Sequence, residues 1–237
     1  MSQSLGRALA RLERDKALYA NLLEATRRGS AQVSWAGEEG ILLYEEGCGA
    51  WMMSAADQQT ADQLLARVPA GCDLFVGHEM FYREAVEDKL GLPARQICYS
   101  AFYPGTQPLD IPPFGGEIRR LGPEWGAWLA EHYENDFGGA AYMAGVLRRG
   151  VLGLFLDGEP AGFVGFHEEG SIGMLEVLPP FRRRGLGEVL QRGAVNLALE
   201  RGQLPFGQVF VENAASLALQ RRVGMELSQT KMFWAFP

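Results

Sequence analysis

The chain has 237 residues, 47% hydrophobic and 22% charged, the balance of an ordinary globular protein with enough length for one large core or two modest ones. Its formal charge of −7 speaks against a nucleic-acid surface, where a basic stripe is expected, and no apolar run approaches the roughly 20 residues that cross a bilayer. Cys48, Cys72 and Cys98 are odd in number with no C-x-x-C spacing, and His78, His132 and His167 are scattered, so neither a disulfide framework nor a metal site is expected.

In chain order, Met1-Ser-Gln-Ser-Leu-Gly-Arg7 lacks the long apolar stretch of a signal peptide, and a cytoplasmic location is the default expectation. Residues 4–28 predict an amphipathic helix, with Leu5, Leu9, Leu12, Tyr19, Leu22 and Leu23 on or near one face and Gly29 at its end. Gln32–Trp35 and Gly40–Tyr44 predict a hairpin turned at Gly37-Glu-Glu, Ala50–Met53 a third strand and Ala55–Val68 a helix. Asp73–Val76 reads as strand, His78–Leu90 as a helix ended by Gly91, and Gln96–Tyr103 as a strand closed by Pro104-Gly105. From Thr106 to Gly116, Pro108, Pro112, Pro113 and Gly115-Gly116 leave few groups able to make a ladder, so 106–116 is expected to link a domain of 1–105 to one of 117–237.

Beyond the linker, Glu117–Leu121 predicts a strand, Pro123–Tyr133 and Ala140–Arg149 helices, and Leu152–Leu156 with Ala161–His167 a hairpin turned at Asp157-Gly158. Strand 171–178, helix 186–201, strand 207–212, helix 214–223 and a final strand 226–236 complete the order β-α-α-β-β-β-α-β-α-β. The first half reads α-β-β-β-α-β-α-β, which is that order without its first strand and helix, so the chain reads as duplicated. Phe75-Val76 before a helix ending Leu90-Gly91-Leu92 parallels Phe210-Val211 before one ending Val223-Gly224-Met225. The aromatic strands Tyr99–Tyr103 and Met232–Phe236 are expected to close the two halves.

Chemistry concentrates in Glu176-Val-Leu-Pro-Pro-Phe-Arg-Arg-Arg-Gly-Leu-Gly-Glu188, where a strand breaks at a proline pair, which cannot donate to a ladder, and a basic glycine turn opens a helix. The first N–H groups of that helix and its positive dipole end face whatever the turn holds, and phosphate fits. A Walker loop would need a lysine and a hydroxyl after Gly187, and a Rossmann fingerprint a third glycine where Leu190 stands, so both fail. What remains is Arg182-x-x-Gly185-x-Gly187, a local positive patch on an acidic protein. Taken alone, such a turn is as often a plain solvated helix start.

Arg-x-x-Gly-x-Gly after a strand ending Val177-Leu-Pro179 resembles the GNAT acyltransferases, in which this turn holds the pyrophosphate of acyl-coenzyme A. A second segment is similar to the same family: strand Phe206–Glu212, then Asn213-Ala-Ala-Ser216, a short helix and Gly224-Met225, where the family has Asn-x-x-Ala/Ser, helix and Gly-Phe. Asn213 as helix cap and Gly224 as C-terminal glycine would serve the fold equally well. Gly202-Gln-Leu-Pro-Phe206 is most similar to the glycine N-acyltransferase-like branch. The resemblance implies a tandem GNAT-like α/β fold, a mostly antiparallel mixed sheet flanked by helices in two domains. It also implies acetyl-CoA as co-substrate, held by Leu175, Val177, Arg182, Arg183, Arg184, Gly185, Leu186, Gly187, Asn213 and Ser216. The first half, with Ser54-Ala-Ala-Asp-Gln-Gln at the cradle position, has neither arginine nor glycine there and is expected to be a degenerate copy that binds no coenzyme A.

Acyl transfer to an amine needs a neutral nucleophile, a donor to the developing oxyanion and a proton for the leaving thiolate. The resemblance assigns the donor to the amide near Val177 and makes Glu176 the candidate base, its pKa raised beside an apolar cleft; the other reading turns Glu176 to solvent, since neighbours on a strand alternate. Many family members carry an acidic tyrosine seven residues after the asparagine, where this chain has Gln220. Ser216 is either a replacement donor or a local helix-start hydrogen bond. The expected activity is therefore N-acyl transfer, in the first instance acetyl, to a small-molecule amine or amino acid. A non-catalytic acyl-CoA-binding or regulatory protein and a tandem aminoacyl or peptidyl transferase are the other readings, with the acceptor held by the 123–149 helices and the interdomain cleft.

Overall fold

A computed structural model describes residues 3–133 and 139–237. The predicted first helix is two: α1 (Gln3–Leu12) and α2 (Lys16–Arg28), split by a 3-10 turn at Glu13–Asp15, where the Asp15 carboxylate accepts from Leu18 N at 3.0 Å and caps the second helix. Gly29, at φ 78°, ends α2 in the left-handed conformation that glycine adopts without strain. Strands β1 (Ala31–Gly37), β2 (Gly40–Glu45) and β3 (Ala50–Ala55) form an antiparallel meander, and β4 (Phe75–Gly77) adds in parallel after α3 (Gln58–Leu65). A 3-10 turn and α4 (Arg83–Leu90) lead to β5 (Ala94–Phe102).

After the irregular stretch 103–116 come β6 (Glu117–Arg120), α5 (Gly126–His132), α6 (Gly139–Arg149), β7 (Leu152–Leu156), β8 (Glu159–Phe166) and β9 (Ile172–Val177). Then follow α7 (Leu186–Glu200), β10 (Phe206–Phe210), α8 (Ala214–Val223) and two short strands, β11 (Glu226–Leu227) and β12 (Met232–Ala235), where one was predicted. The larger sheet runs β1-β2-β3-β4-β12-β5-β10 with β11 on β5, and the smaller one is the antiparallel set β6-β7-β8-β9.

The compact units are not the contiguous halves 1–105 and 117–237. Gln208–Leu217 and Glu226–Pro237 belong with the residues up to Phe102, while Tyr103–Gly207 and Ala218–Met225 form the second unit. The last strand therefore closes the first half's sheet instead of the second's, sitting between β4 and β5 with Phe233 opposite both Gly77 and Ile97. A side chain at Gly77 would overlap the Phe233 ring, so this glycine is the slot that admits the strand. Phe233 is fully buried with Phe75, Tyr82, Val86 and Leu92 in a core shared with α3 and α4. Ile41, Leu43 and Met52, which alternate with the core residues Leu42 and Met53, are fully buried as well, so this sheet is covered on both faces.

In the second unit, Phe155, Phe163 and Met174 pack under α5 and α6 through Leu129, Met143 and Val146. The opposite sheet face meets α7, where Gly162 and Gly193 let the helix close on β8 and β7: a Cβ on Gly162 would stand 3.1 Å from Leu190 Cδ1 and one on Gly193 3.2 Å from Leu152 Cδ1. Among the described residues no helix is long and apolar enough to cross a membrane.

His78 is fully buried in the first unit and His167 half-buried in the second. His78 Nδ1 and Nε2 lie 2.7 Å from Met53 O and Asn21 Oδ1, and His167 Nδ1 lies 2.8 Å from the Tyr142 hydroxyl. Burial lowers the pKa of both below the ordinary 6.5. The unfolded chain then takes up protons that the folded chain refuses, so stability is at its full value above about pH 6.5 and falls as pH drops below it, by up to about 1.4 kcal/mol per pH unit for each histidine. Thermal melting between pH 7.5 and 5.5 is expected to show that decline, and His78→Gln with His167→Gln is expected to flatten it. An unchanged slope in the double variant would remove the assignment.

Candidate functional site

The site is built on β9. It is the terminal strand of the smaller sheet, paired with β8 through Phe166↔Ile172, Gly165↔Gly173, Phe163↔Glu176 and Gly162↔Val177. Between the second and third of these pairs two residues of β9, Met174 and Leu175, oppose the single Val164, which makes a β-bulge, with Met174 at φ 55°. A positive φ on a non-glycine residue costs about 1–2 kcal/mol, and the buried Met174 side chain in the α5/α6 core holds it there. Past the bulge, Leu178 N donates to Ala161 O at 2.9 Å. Since alternate residues of an antiparallel strand face opposite edges, the Val177 N–H points away from β8, to the side where β9 has no ladder partner among the described residues.

A Cβ on Gly207 would lie 2.7 Å from Ile172 O, and β9 and β10 belong to different sheets, with no ladder between them among the described residues. The first half is built the other way. There β3 and β4 stay hydrogen bonded through Trp51↔Phe75, Met52↔Val76 and Met53↔Gly77.

After β9 a 3-10 turn at Pro179–Phe181 leads to Arg183 at φ 65° and Gly185 at φ 78°, the N-cap of α7. Having no side chain, Gly185 leaves the first turn uncapped; its carbonyl takes Glu188 N at 3.0 Å, while the N–H groups of Leu186 and Gly187 have no partner within the helix geometry. The two glycines differ in what they require. A Cβ at Gly187 would make ordinary contacts of 3.7 Å to Leu219 and 3.9 Å to Leu175 and Val177, so the structure gathers Leu175, Val177 and Gly187 at one point and leaves room for a methyl group. Gly185 is held by conformation: Gly185→Ala is expected to cost about 1 kcal/mol or more in a melting experiment, and Gly187→Ala close to nothing. Equal effects would remove this distinction.

The arginine triplet divides. All three are exposed, but Arg182 turns back on the strand, its Nε donating to Val177 O at 2.8 Å and its guanidinium 3.7 Å from the Glu176 carboxylate. Glu176, with its side chain 20% exposed, thus sits in an ion pair and not alone against an apolar wall. Asn213 Oδ1 accepts from Ser216 N at 2.9 Å and caps α8, while Gly224, at φ 88°, ends that helix. Both structural readings of these residues therefore hold. Gln220 is buried and accepts from Gln191 Nε2 at 3.1 Å, so it is packed between α7 and α8 as a fixed amide.

The sequence reading missed Glu79. At the end of β4 its carboxylate accepts from Tyr19 OH and Ser54 Oγ at 2.7 Å each, from Tyr82 OH at 3.0 Å and from Ala55 N at 3.1 Å, with Arg11 3.6 Å away. Burial, followed by the Glu79 charge, pushes the Tyr19 phenol up to about 12. The signal available in the sequence was the polar pair His78-Glu79 placed directly after the apolar run Leu74–Gly77. Beside this cluster α3 is capped by its own chain, Asp57 Oδ1 accepting from Thr60 N at 2.7 Å. Of the acceptor-side stretch 123–149, residues 134–138 lie outside the described residues.

Residues 119–225 match the model of the acetyltransferase (GNAT) family. No curated protein matches the chain. Among solved structures, a Drosophila protein superposes with TM-score 0.74 at 16% identity, over 99% of this chain and 95% of that one. A GCN5-related N-acetyltransferase from Kribbella flavida gives 0.57 at 17% over 93% and 95%, and a tandem GNAT protein from the clavulanic acid biosynthesis pathway 0.52 at 13% over 99% and 94%. At these identities the likeness is one of fold: a mixed, mostly antiparallel GNAT architecture that extends over the whole chain.

Proposed function

We propose that the chain is an N-acyltransferase that moves the acyl group of acetyl-CoA to the amine of a small molecule or amino acid. The observation that carries this reading is the path from an edge strand with an outward Val177 N–H, through an arginine-glycine turn, into the uncapped N-terminus of α7, all inside the segment that matches the family. An uncapped helix start beside exposed Arg183 and Arg184 suits a pyrophosphate, and the open β9 edge suits a pantetheine amide chain. In the reaction the amine nitrogen attacks the thioester carbonyl. The Val177 N–H donates to the oxyanion, Glu176 takes the amine proton directly or through a water, and the C–S bond breaks as the C–N bond forms. The thiolate leaves as such or is protonated from water, because Gln220 has no proton to give.

The first half serves in this reading as a degenerate copy. Its β3–β4 ladder is closed, Asp57 occupies the helix start, and Glu79 already satisfies Ala55 N with a carboxylate. The wording Gly202-Gln-Leu-Pro-Phe206 supports a reading of the second half as similar to the glycine N-acyltransferase-like branch, and a cytoplasmic enzyme accords with the composition. Gln220 favours one other reading, an acyl-CoA-binding regulatory protein without turnover.

Calorimetric titration with acetyl-CoA is expected to give one site per chain. Arg183→Ala with Arg184→Ala should weaken it about tenfold or more, since each is a charge-assisted phosphate contact, and Asp57→Asn should leave it unchanged. Two sites, or unchanged affinity in the double variant, would sink the assignment, and turnover with a panel of amines separates enzyme from binding protein.

A further inference from the structure

We infer that the first unit carries a second small-molecule site, for an organic ammonium ion, in the cavity between strands β1–β3 and the loop Pro69–Asp73. The cavity holds about 450 Å³, within the roughly 300–1,000 Å³ of small-ligand pockets. Its floor is a cross-strand row: Gln32 pairs with Tyr44, and Tyr44 with Trp51. The Tyr44 and Trp51 rings stand 5.6 Å apart, tilted by 50°, and both are half-buried, so each keeps surface open to the cavity. The far wall is a fixed turn, with Cys72 N donating to Pro69 O at 3.3 Å and the Cys72 thiol to Leu74 O at 3.5 Å.

Charge selects the ligand. Among the residues that line the cavity Asp73 is the one carboxylic acid, no lysine or arginine is present, and Asp73 is exposed. A second carboxylate stands next to the floor, because the Gln32 amide donates to Glu46. Electron-rich ring faces beside carboxylates attract a weakly hydrated cation, and the methyl groups of a quaternary ammonium gain contact with the same rings. An anion such as the phosphates of coenzyme A would be repelled, and the cavity shares no residue with the turn at Arg182–Gly187. The inference stands apart from the acyl-transfer reading.

The test uses the full chain and two probes of one shape, choline and its neutral counterpart 3,3-dimethylbutan-1-ol, titrated by calorimetry or ligand-observed NMR. Choline is expected to saturate the site and to bind about tenfold more tightly than the alcohol. Asp73→Asn, a change at an exposed position, should weaken choline about three- to tenfold, Trp51→Leu should weaken it further, and acetyl-CoA affinity should not move. Equal binding of the two probes, choline binding untouched by Asp73→Asn, or no saturation at tens of millimolar would overturn the proposal.

Discussion

Replacing Phe233 by alanine is expected to destabilise the first unit by about 3–5 kcal/mol, a large share of a domain's stability. The ring is fully buried, meets Tyr82 edge-on at 5.9 Å and fills the space over Gly77. Truncating a buried phenylalanine costs about 3–5 kcal/mol, against a typical domain stability of about 5–15 kcal/mol. Here the loss also loosens β12, the strand that joins β4 to β5 by hydrogen bonds on both sides. Chemical denaturation followed by circular dichroism should show the midpoint fall. Phe233→Leu, which keeps most of the volume, should recover much of it. A Phe233→Ala chain as stable as the parent would mean that β12 is dispensable, and the exchanged strand would lose its structural role.

That strand marks where the sequence stops being legible. Its existence follows from the aromatic alternation Met232–Ala235, but its partner is decided by a complementarity between Gly77 and Phe233, 156 positions apart, which no local pattern reports. The predicted halves fail at this point because a strand can close either of two sheets with equal local propensity. The cradle was readable since its demands are local: a break at Pro179-Pro180, a left-handed Gly185, and apolar spacing along α7. Helix α8 was readable to the residue for a like reason, with its cap at Asn213 and its stop at Gly224. Strain escaped notice, because Met174 at φ 55° is a bulge imposed by the register with β8 and carries no glycine to announce it. The Glu79 cluster escaped too, since four of its partners come from three distant segments, Arg11 and Tyr19, Ser54 and Ala55.

Glu176→Gln is expected to lower turnover by roughly 10²–10⁴, the usual worth of a positioned general base, while acetyl-CoA affinity stays within about twofold. Glutamine keeps the shape and a hydrogen-bond acceptor at the end of β9 but cannot take the amine proton. Because the Glu176 carboxylate pairs with Arg182, which also holds Val177 O at 2.8 Å, the variant could act by releasing the turn instead of removing a base. Arg182→Ala separates the two causes. It frees the same guanidinium contacts while leaving the carboxylate, so a positioning effect should appear there as weaker cofactor binding and a base effect should not. The exposed setting of the ion pair, with Arg182 48% exposed, makes its own energetic worth small, about 0–1 kcal/mol, or less than a tenfold change. A kcat loss beyond tenfold in Glu176→Gln, recovered as pH rises in proportion to the free amine, would identify the carboxylate as the proton acceptor. Wild-type turnover at neutral pH in Glu176→Gln would place the base elsewhere, and the Tyr142–His167 pair in the same unit would be the next to replace.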